Sequence, residues 1–199
     1  MKAGVLLHKL RGHAVTALSR FSRDKGGVAA VEFAFIAPIM ILLFVGTIEL
    51  SAGISTDRKL SRVSSAVGDL ITQSQTLTAS DIKNIMDVSA KIMYPYTETV
   101  SITITGIDIK SGNALSQWQC TKASGCSCTG GTTYDVPAKI KKDGTYLVSA
   151  VVSTTYTPSF GWAHYSEAEG VYFSRTPIEM SDEIFLRPRV GSSVTLSCS

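Results

Sequence analysis

The sequence predicts an α+β fold: one long, apolar N-terminal helix, then a small, mostly antiparallel sheet domain with a single packed helix. Three observations predict it. Val28 to Ile48 is an unbroken apolar run. Ile82, Ile85, Met86, Ala90, Ile92 and Met93 recur at helical spacing. Val100, Ile102 and Ile104 alternate with Ser101, Thr103 and Thr105, the period of a half-buried strand. Residues 72–199 are numerous enough to bury a core of their own, and strands with one covering helix imply α+β.

The chain has 199 residues, 44% hydrophobic and 18% charged, with a mean hydropathy of +0.18. That balance excludes a disordered or collagen-like chain. The net charge of +3 hides a split. Residues 1–27 carry Lys2, Lys9, Arg11, Arg20, Arg23 and Lys25 against Asp24 alone, while the body holds 13 basic and 15 acidic side chains. No Lys/Arg cluster interleaved with aromatics follows residue 28, so a nucleic-acid partner is not expected.

The basic head leads into the first structural element. Val28–Ile48 reads VAAVEFAFIAPIMILLFVGTI, with Glu32 its one charge. As a helix it spans about 30 Å, the thickness of a hydrocarbon core. A buried core helix would show a polar stripe, and this run has none. A secretory signal would be shorter and end in a small-residue cleavage site, for which only Ala52-Gly53 offers a weak candidate. The basic flank places residues 1–27 in the cytoplasm by the positive-inside rule, and the body on the far side of the membrane. Pro38 is a kink candidate, and Gly46 lacks the GxxxG partner that would mark a helix-pairing face.

The boundary between head and run reads Gly26-Gly27-Val28-Ala29-Ala30-Val31-Glu32-Phe33. It resembles the type IV prepilin processing signal, in which a membrane aspartic peptidase cuts after the Gly and a Glu stands fifth in the mature chain. The resemblance implies cleavage between Gly27 and Val28, with Glu32 and Phe33 as the processing and assembly motif. Physics makes this intelligible. A residue without a side chain lets the backbone enter a narrow cleft. A carboxylate within an apolar helix is costly and needs a partner, and cleavage creates one in the α-amino group of Val28. Taken alone, Glu32 at headgroup depth would simply be solvated.

The run Gly27-Val28-Ala29-Ala30-Val31-Glu32-Phe33-Ala34-Phe35-Ile36-Ala37-Pro38 is further similar to TadE/TadG-type proteins of the tight-adherence (Flp) pilus system. So, more weakly, is Ile184-Phe185-Leu186-Arg187-Pro188-Arg189-Val190-Gly191 ahead of Cys198. The length suits a TadE-like minor pilin better than the longer TadG type. The resemblance implies a non-enzymatic, prepilin-like protein of the bacterial inner membrane. It would be a minor pilin or assembly factor of a type IVb pilus, without cofactors. Its partners would be a prepilin peptidase, the major Flp pilin and other minor pilins, the inner-membrane pilus platform and the lipid bilayer. The division it implies is a leader over 1–27, a transmembrane and extended helix over 28–71, and a periplasmic domain over 72–199.

Beyond the membrane the helix is expected to run on to about residue 73. Ser51, Ala52, Ser55, Lys59, Arg62, Val63, Ala66, Val67, Leu70 and Ile71 keep helical spacing, with Gly53 and Gly68 as soft points. Gln73 to Ser80 reads as a polar linker in which Thr78 caps the next helix with Asp81 three residues on, and Tyr94-Pro95 ends that helix. Val100–Ile109 is a strand with Gly106 as a bulge before Ile107 and Ile109. Ser111-Gly112-Asn113 is a turn and Leu115–Cys120 the return strand. Asp143-Gly144 is another turn, Tyr146–Tyr156 a central strand, and Val171–Phe173 and Ile184–Leu186 short further strands.

Cys120, Cys126, Cys128 and Cys198 fall on the outer side, where disulfides are the default. Three pairings are open. The favoured one joins Cys120 to Cys126 or Cys128, and the other of these to Cys198. A thiolate metal site lacks a second CxxC and a nearby His, since His8 and His13 lie in the leader and His164 stands alone. No nucleophile elbow, zincin or P-loop motif occurs, so no catalytic residue is assigned. Glu167 with Glu169, and Asp182 with Glu183, read as solvated surface carboxylates. Trp118 and Trp162 read as core rather than as a ligand groove. Two other readings compete: a permanently anchored periplasmic binding module, and an anchored enzyme.

Overall fold

The computed structural model describes residues 26–94, 100–166 and 170–197. The leader up to Lys25, Pro95, Glu167, Glu169 and Cys198 lie outside them, as do the side chains of Trp162 and His164. The chain divides into two compact units, with the boundary between Ile48 and Glu49.

Helix α1 runs from Gly26 to Thr72. Its first half is exposed on every face: Phe33, Phe35, Leu42 and Phe44 are each about two-thirds open or more. Pro38 lies inside it.

The second half of α1 belongs to the second unit. Thr56, Leu60, Val63, Ser64, Val67, Gly68, Ile71 and Thr72 are buried, a stripe at spacings of three and four. The spacing read from sequence overlaps this stripe at Val63, Val67 and Ile71 but also takes in Arg62 and Leu70, which face outward. Gly68 marks where helix meets sheet. A Cβ there would run into the side chains of Leu186 and Ile184 and touch Ala150.

The expected linker after α1 contains a strand, β1 (Thr76–Thr78), paired in parallel with β9 (Thr195–Ser197). The Thr195 amide donates to the Gln75 carbonyl at 2.8 Å, and Arg189 N to Thr72 O at 2.8 Å. No local signal announces such a pair, because its partner is more than a hundred residues away.

Helix α2 (Ala79–Ala90) opens on the expected capping box, Thr78 with Asp81. A 3-10 turn, Lys91–Met93, continues it. Met93 continues the buried spacing of Ile82, Met86 and Ser89, whereas Ile92 is exposed and is not part of the apolar face.

The main sheet is antiparallel, in the order β4-β3-β2-β5-β8. Its strands are β2 (Ser101–Lys110), β3 (Asn113–Thr121), β4 (Gly125–Ser127), β5 (Thr145–Tyr156) and β8 (Ile178–Leu186). The β2–β3 turn holds Ser111 and Gly112 at φ of 51° and 76°, the two positive values of the hairpin turn that matches strand twist. Asp143 of the next turn accepts from the Gly112 amide at 2.6 Å.

Both faces of this sheet are buried. Ile102, Ile104, Trp118, Cys120, Val148, Ala150 and Val152 form one core with α1, α2 and Val194. Ile107, Ile109, Ala114 and Leu147 form a second with Val136, beside Tyr134, Ile140 and Phe185. The register does shift between Gly106 and Ile107, but the extra residue is Gln117 on β3. Strand β2 keeps its alternation, so Ile107 and Ile109 face away from Ile102 and Ile104. The bulge turns β3 over instead, sending Trp118 and Cys120 to one face and Ala114 to the other.

Strand β8 is longer than the expected Ile184–Leu186, because Glu179, Asp182 and Glu183 mask its alternation at the sheet edge. Asp182 and Glu183 are neither a pair nor simply solvated. As strand neighbours they point to opposite faces. Asp182 accepts from the Ser64 hydroxyl of α1. Glu183 accepts from Tyr134 Oη at 2.8 Å and from Ser149 Oγ at 2.7 Å. Between β5 and β8 lies a separate hairpin of β6 (Trp162–Ser166) and β7 (Gly170–Ser174). The sequence reading has β7 without β6.

One carbonyl gathers the core. Val194 O accepts from Trp118 Nε1 at 2.9 Å and from Tyr146 Oη at 2.7 Å. Burial, aided by the charge of Asp108 and opposed by the Trp118 contact, pushes the Tyr146 phenol up to about 12. The sign is that of a folded-state pKa raised above the unfolded one, near 10. The stabilisation is therefore complete below pH 10 and is lost as pH climbs toward 12. Thermal midpoints measured across that interval should fall steadily, and Tyr146→Phe should flatten the fall. A profile as steep in Tyr146→Phe as in the wild type would remove this account.

Candidate processing and assembly site on the N-terminal helix

Gly26 and Gly27 are the first described residues of α1 and lie in its first described turn. No acidic residue occupies that turn. A Cβ on Gly27 would meet nothing within 4 Å, and its φ is not in the left-handed region. Nothing within the described chain therefore demands glycine at this position. Two adjacent glycines do weaken the helix here, glycine being the poorest helix former after proline.

Val28 and Glu32 are four residues apart and share one helix face. Both are exposed, as is Phe33 at 71%. Among the described residues no ion pair involves Glu32. The structure thus brings Val28 and Glu32 together on one face, and among the described residues no cation is paired with Glu32.

A second carboxylate was missed in the sequence. Glu49, the first residue past the apolar run, is only 6% exposed. It accepts from Tyr156 Oη at 2.9 Å and from the Phe160 amide at 3.1 Å. Its place after an unbroken apolar stretch was a visible signal. Its partners, more than a hundred residues away, were not.

Cys120 and Cys126 are register partners on β3 and β4 and form a disulfide. Cys128 is also disulfide-bonded.

Fold and site together define an α+β protein with, among the described residues, one N-terminal helix long and apolar enough to cross a membrane, which fits a single-pass membrane protein. Residues 27–69 match the family model described as TadE-like protein. This is the family that the Gly27-to-Phe33 motif resembles. The match lies wholly within α1 and includes no part of the sheet. No curated protein and no solved structure matches the chain.

Proposed function

We propose that this chain is a non-enzymatic, prepilin-like membrane protein, acting as a minor pilin or assembly factor of a Tad/Flp-type pilus and its secretion machinery. The observation that carries the reading is a coincidence of boundaries. The family match begins at Gly27, the residue before the expected cut, and Glu32 lies one turn above Val28. A prepilin peptidase would cut between Gly27 and Val28. The flexible glycine pair lets the backbone extend into its cleft, and the freed Val28 ammonium is set beside Glu32.

In this reading residues 1–27 are a cytoplasmic leader, 28–71 the transmembrane and extended helix, and 72–199 a periplasmic domain. Partners are the peptidase, the major Flp pilin, other minor pilins, the inner-membrane platform and lipid. Cys120 is bonded to Cys126, and in this reading the favoured partner of Cys128 is Cys198, a bond that would tie the C-terminal segment to the loop after β4.

Gly27→Leu tests the cut. With the matching peptidase co-expressed, wild-type protein should begin at Val28 on N-terminal sequencing. The variant should keep its leader and run heavier by the mass of residues 1–27. Equal migration of the two would instead favour the permanently anchored module.

A further inference from the structure

The segment that closes on Glu49 leads directly into the β6–β7 hairpin. Tyr156 ends β5 with its hydroxyl on Glu49, the Phe160 amide donates to the same carboxylate, and β6 begins two residues later at Trp162. Glu49 follows Ile48, the last residue of the apolar run. Its two hydrogen bonds tie the entry to the hairpin to the residue that follows the apolar run.

The composition there is distinctive. Residues 156–173 contain Tyr156, Phe160, Trp162, Tyr165, Tyr172 and Phe173. Residues 144–174 contain no Lys or Arg. Phe160 is 52% exposed. The backbone register sets Ala163 opposite Phe173 and Tyr165 opposite Val171. Among the described residues the hairpin joins no other strand, and an isolated two-stranded hairpin is marginal in water. Trp and Tyr, apolar in body with a polar tip, concentrate where bilayer meets water.

We propose that the Phe160 loop and the β6–β7 hairpin lie in the headgroup region of the bilayer that α1 crosses, as a second membrane contact far along the chain from the first. The proposal rests on α1 being a membrane span. With no Lys or Arg in the segment, partition of aromatic surface drives the contact, so it holds on uncharged lipid.

The test uses full-length protein reconstituted in phosphatidylcholine vesicles, with the lipid brominated at a shallow or a deep acyl position. Trp118 and Trp162 are the only tryptophans, and Trp118 is in the core at 4% exposure. Shallow bromine should quench the emission more than deep bromine. That quenching should be lost in Trp162→Phe and kept in Trp118→Phe. No quenching by either lipid, or stronger quenching by the deep one, overturns the proposal. A blue-shifted Trp162 emission without quenching would mean that protein, such as a second copy, covers the hairpin instead, and also overturns it. Alkaline extraction of the same vesicles separates the two levels. Release of the chain refutes the span itself, whereas retention without quenching refutes only the hairpin contact.

Discussion

Gly106→Ala should lower stability by about 3 kcal/mol, near the upper end of what overpacking costs, and the thermal midpoint by about 10 °C at the usual sensitivity of a domain this size. A Cβ at this position would collide with the Tyr146 hydroxyl and with the Trp118 indole. Neither can give way freely. Both donate to the same acceptor, Val194 O, and both are packed in the core that joins α1, α2 and the sheet. Moving either one breaks a buried hydrogen bond and leaves part of that carbonyl unsatisfied. Gly112 provides the contrast. It has a φ of 76° and no atom within 4 Å of its Cβ position, so Gly112→Asn, which tolerates the left-handed region, should cost well under half as much. Chemical or thermal unfolding of the three proteins decides the matter. If Gly106→Ala is as stable as the wild type, the Trp118–Tyr146–Val194 arrangement is not holding the core together.

The contrast between these glycines also shows what could be read from the sequence. Gly112 lies in a turn announced by its neighbours, and the Thr78–Asp81 box and the alternation of Ile102 and Ile104 are likewise signals carried within a few residues. Helix α1 was legible because an apolar run of membrane length has few other uses. The requirement for glycine at position 106 was not legible in its true form. The sequence suggests a bulge there, but the extra residue is Gln117, and the constraint comes from two side chains on β3 and β5. The same holds for β1 with β9, for Glu49 with Tyr156 and Phe160, and for Asp182 with Ser64. Each depends on a partner distant in sequence, about which local periodicity is silent. The motif from Gly27 to Phe33 is linear, so its spacing could be read directly, and folding adds only that Val28 and Glu32 share a face.

In the assembly proposed above, Glu32→Gln should leave processing almost unchanged and sharply reduce pilus formation. The amide is nearly isosteric with the carboxylate, and Gly27 with the small residues after it is unaltered, so the peptidase should cut at the same bond. Assembly depends on charge. Cleavage creates an ammonium on Val28, and helix packing or lipid then removes it from water. Glu32 is the one carboxylate in the run from Val28 to Ile48 and stands one turn away on the same face. Removing one partner of a buried charge pair leaves the other uncompensated, at a typical cost of about 3–5 kcal/mol. That corresponds to about two to four decades in an association constant, since each decade takes about 1.4 kcal/mol. Processing read on a gel and pili counted by microscopy, in one strain and at wild-type protein levels, separate the two steps. Normal pili in Glu32→Gln would show that the carboxylate is only a solvated residue at the membrane surface, or that the protein does not assemble through its N-terminal helix. Loss of pili with an uncut chain would instead place Glu32 in recognition by the peptidase, and the ammonium–carboxylate pairing would have to be abandoned as the cause.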